Sequence, residues 1–143
     1  MRVALAEARA GLVAGEVPVG AVVVVGGVIV GQAHNAPIGL VDPSAHAEVL
    51  ALREAARKLG NYRMPDATLF ATLEPCAMCC GAVIQARLAR VVYGAPDPRA
   101  GAIESVYRLL DDPRLNHRVE AQGGVLADEC TALLREFFET KRR

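Results

Sequence analysis

The chain has 143 residues, 16 basic against 16 acidic side chains, 52% hydrophobic residues and a mean hydropathy of +0.25. A chain of this length buries about 70% of its unfolded surface and needs no disulfide staples, which excludes two large domains or a disordered tail protein. The balanced charge excludes a broad non-specific nucleic-acid coat, which rests on many Lys and Arg neutralising phosphates; three Phe, three Tyr and no Trp disfavour a stacking platform along a single strand.

In chain order, Met1-Arg2-Val3-Ala4-Leu5 runs into an Ala/Glu/Arg helical pattern with no apolar signal core or cleavage site, so a cytoplasmic setting is expected. Val3 to Leu12 reads as an amphipathic helix ending near Gly11 to Gly15. Ala21 to Val25, Gly26-Gly27 and Val28 to Val30 read as a hairpin whose two turn glycines accept positive φ. The surrounding apolar stretch, Val17 to Val30, is broken by Pro18, Gly20, Gly26 and Gly27 and falls short of the ~20 apolar residues that cross a bilayer. Gln32 to Ser44, with Asn35, Pro37, Gly39, Asp42 and Pro43, is expected to be an ordered loop.

From Ala45 the apolar positions Ala45, Val49, Leu52, Ala56 and Leu59 step along one helical face, with Ser44 as the expected N-cap and Gly60 as the stop. Thr68 to Thr72 reads as a strand, Cys76 to Arg87 as a helix rich in small residues, and Val91 to Tyr93 as another strand. This alternation predicts parallel strands joined by a right-handed crossover, in an α/β protein with helices packed on a sheet. A loop from Gly94 to Gly101 leads to a short helix near Ile103 to Leu110, a strand around Arg118 to Ala121, and a last helix with Cys130, Leu133, Leu134, Phe137 and Phe138 on one face.

Three of the four cysteines, Cys76, Cys79 and Cys80, lie within five residues, and Cys130 stands alone. In a cytosolic chain such clustering points to metal or redox chemistry rather than to a disulfide framework. Cys76 and Cys79 are one helical turn apart at the start of a helix, where the dipole favours thiolate. His46 opens the other helix. An imidazole and two thiolates are three good tetrahedral Zn²⁺ ligands, and a fourth position left to water separates a catalytic site from a structural one. Glu48, two residues from His46, projects at another angle and is placed to take a proton from that water and return it to a substrate. Spacing also lets Cys80, four residues after Cys76, share the face, so geometry alone leaves both thiols open as the second sulfur ligand.

His46-Ala47-Glu48 followed by Pro75-Cys76-Ala77-Met78-Cys79 is the known signature of zinc nucleobase deaminases, bacterial tRNA adenosine deaminases among them, so the match is a resemblance and not a derivation. It extends through Glu16-Val17-Pro18-Val19-Gly20-Ala21, Asn35 to Gly39, Asp42 to Glu48, Asn61-Tyr62-Arg63, Thr72 to Cys76, Asn116 to Glu120 and Gly124 to Cys130. The chain resembles the bacterial tRNA-specific adenosine deaminases of the cytidine/deoxycytidylate deaminase superfamily over nearly its whole length. The resemblance implies a three-layer α/β/α sandwich around a mixed five-stranded sheet, the cytidine deaminase-like fold, as a single zinc-dependent deaminase domain over residues 1–143. It implies a homodimer with one Zn²⁺ per subunit on His46, Cys76 and Cys79, and it selects Cys79 over Cys80. The implied reaction is hydrolytic deamination of the wobble adenosine to inosine in a tRNA anticodon arm, with an ACG-anticodon arginine tRNA as substrate and Glu48 as proton shuttle. Asn35 would contact the flipped nucleoside, the Ala47 backbone would face the base, and Asp97 would lie near the preceding nucleotide. Cys80 stands where the family commonly has a small non-ligating residue, and the basic C-terminus is short, Lys141-Arg142-Arg143.

Two other functions use the same residues. One is a zinc deaminase of a free base or nucleotide of the guanine or cytosine type. The other is a non-catalytic, zinc-stabilised RNA-binding module with Cys80 as fourth ligand. Singly, Asn35 is a common turn brace, His34 and His117 read as loop or surface histidines, Cys130 as a buried small hydrophobe, and at least one of Phe137 and Phe138 as packing.

Overall fold

A computed structural model describes residues 1–141; Arg142 and Arg143, the end of the basic terminus, lie outside the described residues. The hairpin forms as expected, β1 (Gly20–Val25) and β2 (Val28–His34), because Gly26 and Gly27 take φ of 56° and 77°, the positive values a two-residue turn demands. With β3 (Ala67–Leu73), β4 (Arg90–Ala95) and β5 (Glu120–Gln122) they form a five-stranded sheet in the order β2-β1-β3-β4-β5. β1 is antiparallel to both neighbours, and β3, β4 and β5 are mutually parallel. It follows that β2, β3, β4 and β5 all run one way and only β1 is reversed. The C-terminal ends of β2, β3 and β4 therefore share one edge, where the segments leading into the next elements emerge.

Helices α1 (Arg2–Val13) and α4 (Ala127–Lys141) pack against each other and on one face of the sheet. On the other face lie α2 (Ala47–Leu59) and α3 (Ala77–Gln85). The two faces are fixed by two close backbone approaches. A Cβ on Gly20 would lie 1.9 Å from the Ala4 carbonyl oxygen of α1, and one on Gly31 would lie 2.3 Å from the Ala51 oxygen of α2. Gly31 pairs with Val23, so it points away from the side Gly20 faces. Between these layers Val23, Leu69, Val83, Leu88 and Val91 are fully buried. The expected three-layer α/β/α arrangement is observed.

The differences from expectation have local causes. β2 continues to His34 because it is an edge strand: Gln32 reaches out to the Glu7 carboxylate at 2.9 Å, and such polar positions resemble a loop in sequence. The N-cap of α2 is His46, not Ser44, since the Ser44 amide and hydroxyl both donate to Asp42 Oδ1 at 2.9 and 2.7 Å. The buried face of α2 is Ala47, Glu48, Ala51, Leu52 and Ala55, and Leu59 is 42% exposed; contact with Gly31 selects the small residues over the larger apolar ones. Cys76 is the cap of α3, which ends at Gln85. Residues 103–105 form a turn and 107–109 are irregular, so no helix forms there, because Ile103, Glu104 and Ser105 give their N–H groups to one buried carboxylate. β5 begins two residues later than expected and ends one later. In α4, Cys130, Leu133 and Phe137 are buried, whereas Phe138 is 48% exposed.

Gly31→Ala should cost about 1–3 kcal/mol, because the clash is with helix backbone. Gly81→Ala, inside α3 where an added Cβ meets nothing within 4 Å, should instead gain about 0.5–1 kcal/mol from helix propensity. Urea unfolding midpoints check both; equal loss in the two variants contradicts the close-approach account.

Candidate metal centre

Because β2 and β3 run the same way, the two helices that follow them on one face both begin at the same edge. Their caps meet there. His46 caps α2 with extended backbone, φ −73° and ψ 149°, and Cys76 caps α3 with φ −77° and ψ 178°. Neither side chain bonds its own helix end, where a capping side chain ordinarily would, so both are spare for the cleft between the helices. The first amide of α2 is satisfied from outside, donating from Ala47 to Asn35 Oδ1 at 2.8 Å.

Cys79, one turn into α3, completes the group. His46 Nδ1 lies 3.5 Å from the Sγ of Cys76 and 3.5 Å from that of Cys79, and the donor atoms of the three residues all fall within 4.8 Å of one another. Tetrahedral zinc, with Zn–S near 2.3 Å and Zn–N near 2.05 Å, sets N and S about 3.6 Å apart, so the donors fit that ion in type and spacing. Cys80 is not part of the group: its thiol is buried and donates to the Pro75 carbonyl at 3.7 Å. Of the two sulfurs that spacing left open, it is Cys79 that lies with His46 and Cys76.

The thiols are electrostatically unlike. The Cys79 thiol bonded to it, together with the His46 ring, brings the Cys76 pKa down to about 3. The same bond, with burial, pushes the Cys79 thiol far upward. His46 is raised above its ordinary value by its contact with Cys76, against the effect of burial. Glu48 is 4% exposed. Burial raises its carboxyl pKa, partly offset by its backbone bond, the His46 charge and the nearby Cys79 thiol. The histidine, the two cysteines and the glutamate of the signature are thus in one place.

The remaining predicted residues are distributed around that edge. Asn35 is the brace just described, and Ala47 is fully buried at the start of α2. Asp97 lies in the loop after β4, its Oδ1 accepting the Arg99 and Ala100 amides at 3.0 and 3.3 Å. That loop is stitched to the cysteine segment, with Ala102 N–H donating to the Pro75 carbonyl at 2.8 Å and Gly101 bridging Cys76. Sequence reading missed two buried carboxylates. Glu16 accepts the Ile38 and Gly39 amides at 3.2 and 2.8 Å and so holds the loop leading into His46. Glu74, immediately before Pro75-Cys76, accepts from the 97–105 loop. Burial alone would raise the Glu74 carboxyl, but bonds from Glu104, Ser105 and Asp97 hold it below the usual range. The available signal was a lone acid closing an apolar β-run, as in Thr68 to Glu74.

A divalent ion entering this site must displace the proton held on the Cys79 thiol and, where the raised His46 is protonated, the imidazolium proton as well. Apparent metal affinity should therefore rise with pH. Chelator competition across pH 6 to 8 measures it; a flat profile contradicts the assignment.

Comparison with known proteins agrees with this geometry. Residues 1–142 match the model of the MafB19-like deaminase family. The tRNA-specific adenosine deaminase of Haemophilus influenzae is 46% identical over 143 residues, covering 99% of this chain and 83% of that protein. That of Bacillus subtilis is 44% identical over 143 residues, covering 100% and 89%. A structure solved in a study of A-to-I editing by tRNA:A34 deaminases superposes with a TM-score of 0.91 at 41% identity, covering 94% of this chain and 97% of that one. The guanine deaminase from Nitrosomonas europaea superposes with a TM-score of 0.79 at 26% identity, covering 95% and 81%. With a His-Cys-Cys group at the shared edge and relatives this similar along their length, the chain belongs to the tRNA-specific adenosine deaminases, within the MafB19-like deaminase family.

Proposed function

We propose that this chain converts the wobble adenosine of a tRNA anticodon to inosine by hydrolysis, releasing ammonia, with His46, Cys76 and Cys79 holding one zinc ion and Glu48 moving the protons. The observation that carries the reading is His46 Nδ1 placed 3.5 Å from two cysteine sulfurs beside a carboxylate that is 4% exposed. Zinc bound by such a set supplies a water whose pKa is lowered toward ~7 and which can attack at neutral pH. Glu48 would take one proton from the attacking water and deliver it to N1 of the purine, and would then take the proton of the hydroxyl newly formed on C6 and hand it to the amino group, which leaves as ammonia. Its burial keeps the proton between carboxylate and substrate.

Other residues position the substrate. The Ala47 amide donates to Asn35 Oδ1, which orients the Asn35 side chain and leaves its NH₂ free to meet a nucleoside. The family resemblance puts the Ala47 backbone against the base, and Asp97 stands on the loop tied to Cys76. An anticodon loop is already partly unstacked, so swinging a base into this cleft costs little, and a few local contacts select it without a strongly basic surface. The substrate we infer is an arginine tRNA with an ACG anticodon. We read residues 1–143 as one deaminase domain working as a homodimer in the cytoplasm. Exposed Ile38, Leu40 and Val41 on the loop entering His46, Val41 at 89% exposure, support an apolar contact with a second copy. No helix among the described residues is long and apolar enough to cross a membrane.

Incubating the zinc-loaded protein with that tRNA transcript should produce inosine at the wobble position. Glu48→Ala should keep its zinc and lose about 10²–10⁴-fold in turnover. Turnover of free guanine or cytosine with none on tRNA would reject the substrate, and unchanged turnover in Glu48→Ala would reject the mechanism.

A further inference from the structure

Glu74 is 2% exposed, and every partner it has is a neutral donor. Its Oε2 accepts the backbone amides of Ile103, Glu104 and Ser105 at 3.1, 2.9 and 3.0 Å. Its Oε1 accepts the Asp97 amide at 3.1 Å and the Ser105 hydroxyl. Gly101 is pressed against the carboxyl group, so closely that a Cβ there would lie 2.3 Å from Glu74 Cδ. From its main chain Glu74 donates to the Ala95 carbonyl at 2.8 Å, and two residues later comes Cys76. A carboxylate sunk in five donors is far more bonding than closing a turn requires, and it joins the 97–105 loop to the segment that carries Cys76.

We propose that Glu74 is a positioning residue for RNA binding: its carboxylate ties the 97–105 loop to the segment that presents Cys76, and so fixes where Asp97 and exposed Arg99 stand relative to the metal group. This rests on the deaminase function above. The two oxygens have separable tasks. In Glu74→Gln the amide oxygen keeps the Oε2 position, because three backbone N–H groups there cannot reverse. The NH₂ then falls at the Oε1 position, where the Ser105 hydroxyl can rotate to accept from it but the Asp97 amide cannot. The substitution therefore breaks one bond, that of Asp97, and leaves residues 103–105 anchored. Gly101→Ala reaches the same carboxylate from the other side, by crowding it.

The experiment compares wild type, Glu74→Gln and Gly101→Ala, each zinc-loaded, by zinc content, kcat and KM on the tRNA transcript, and amide hydrogen exchange. Glu74→Gln should retain its zinc, keep kcat within about threefold, raise KM roughly tenfold or more as one charge-assisted hydrogen bond is lost, and speed exchange at Asp97 while Ile103 to Ser105 stay protected. Gly101→Ala should raise KM similarly, and it carries the test if Glu74→Gln does not fold. Loss of zinc together with activity, a fall in kcat at unchanged KM, or unchanged KM despite faster exchange at Asp97 each overturns the proposal. Absence of inosine with wild type would instead reject the deaminase function, while the exchange data would still report on the loop.

Discussion

Two helices in this protein begin at the same place, and strand direction makes them do so. β1 is reversed between β2 and β3, so the strands that precede α2 and α3 both deliver their chains to one edge of the sheet. Open α/β sheets collect ligands at the carboxyl ends of their strands for this reason. Here the two cap residues, His46 and Cys76, make no capping bond to their own helices and lie 3.5 Å apart. Close packing on Gly31 brings α2 down onto the sheet; a bulkier contact there would lift His46 away from the cysteines.

Three buried glutamates frame that edge, and their partners separate their tasks. Glu16 receives two backbone amides and Glu74 receives four amides and a hydroxyl, so both are saturated acceptors that hold loops. Glu48 instead faces the Cys79 thiol and the His46 charge, with burial opposing its ionised form. A carboxylate that is poorly solvated and not saturated by fixed donors is the one able to exchange a proton during a reaction. The same side chain thus holds loops at two positions, and at the third its neighbours leave it suited to the proton transfer proposed for it.

What the sequence made legible was the chemistry with short spacing. His46-Ala47-Glu48 and Cys76-Ala77-Met78-Cys79 each lie within one helical turn, and their residue types identify a metal and a base. The hairpin was equally plain, because Gly26-Gly27 admits few alternatives. Less legible were features set by distant partners. The buried side of α2 follows Gly31, which is remote in sequence, and not the larger apolar residues Val49 and Leu59. The apparent helix at 103–110 is unmade by Glu74, about thirty residues upstream. Cys79 and Cys80 are equivalent in spacing, and only the turn of α3, which aims Cys80 at the Pro75 carbonyl, distinguishes them.

The central claim is a metal held by one imidazole and two thiolates, with its last position open to water. X-ray absorption at the zinc edge of the purified, zinc-loaded protein reads that set directly. The account predicts two sulfur scatterers near 2.3 Å and two lighter nitrogen or oxygen scatterers near 2.0 Å. Three sulfurs would bring Cys80 into the shell, close the site, and contradict a hydrolytic role.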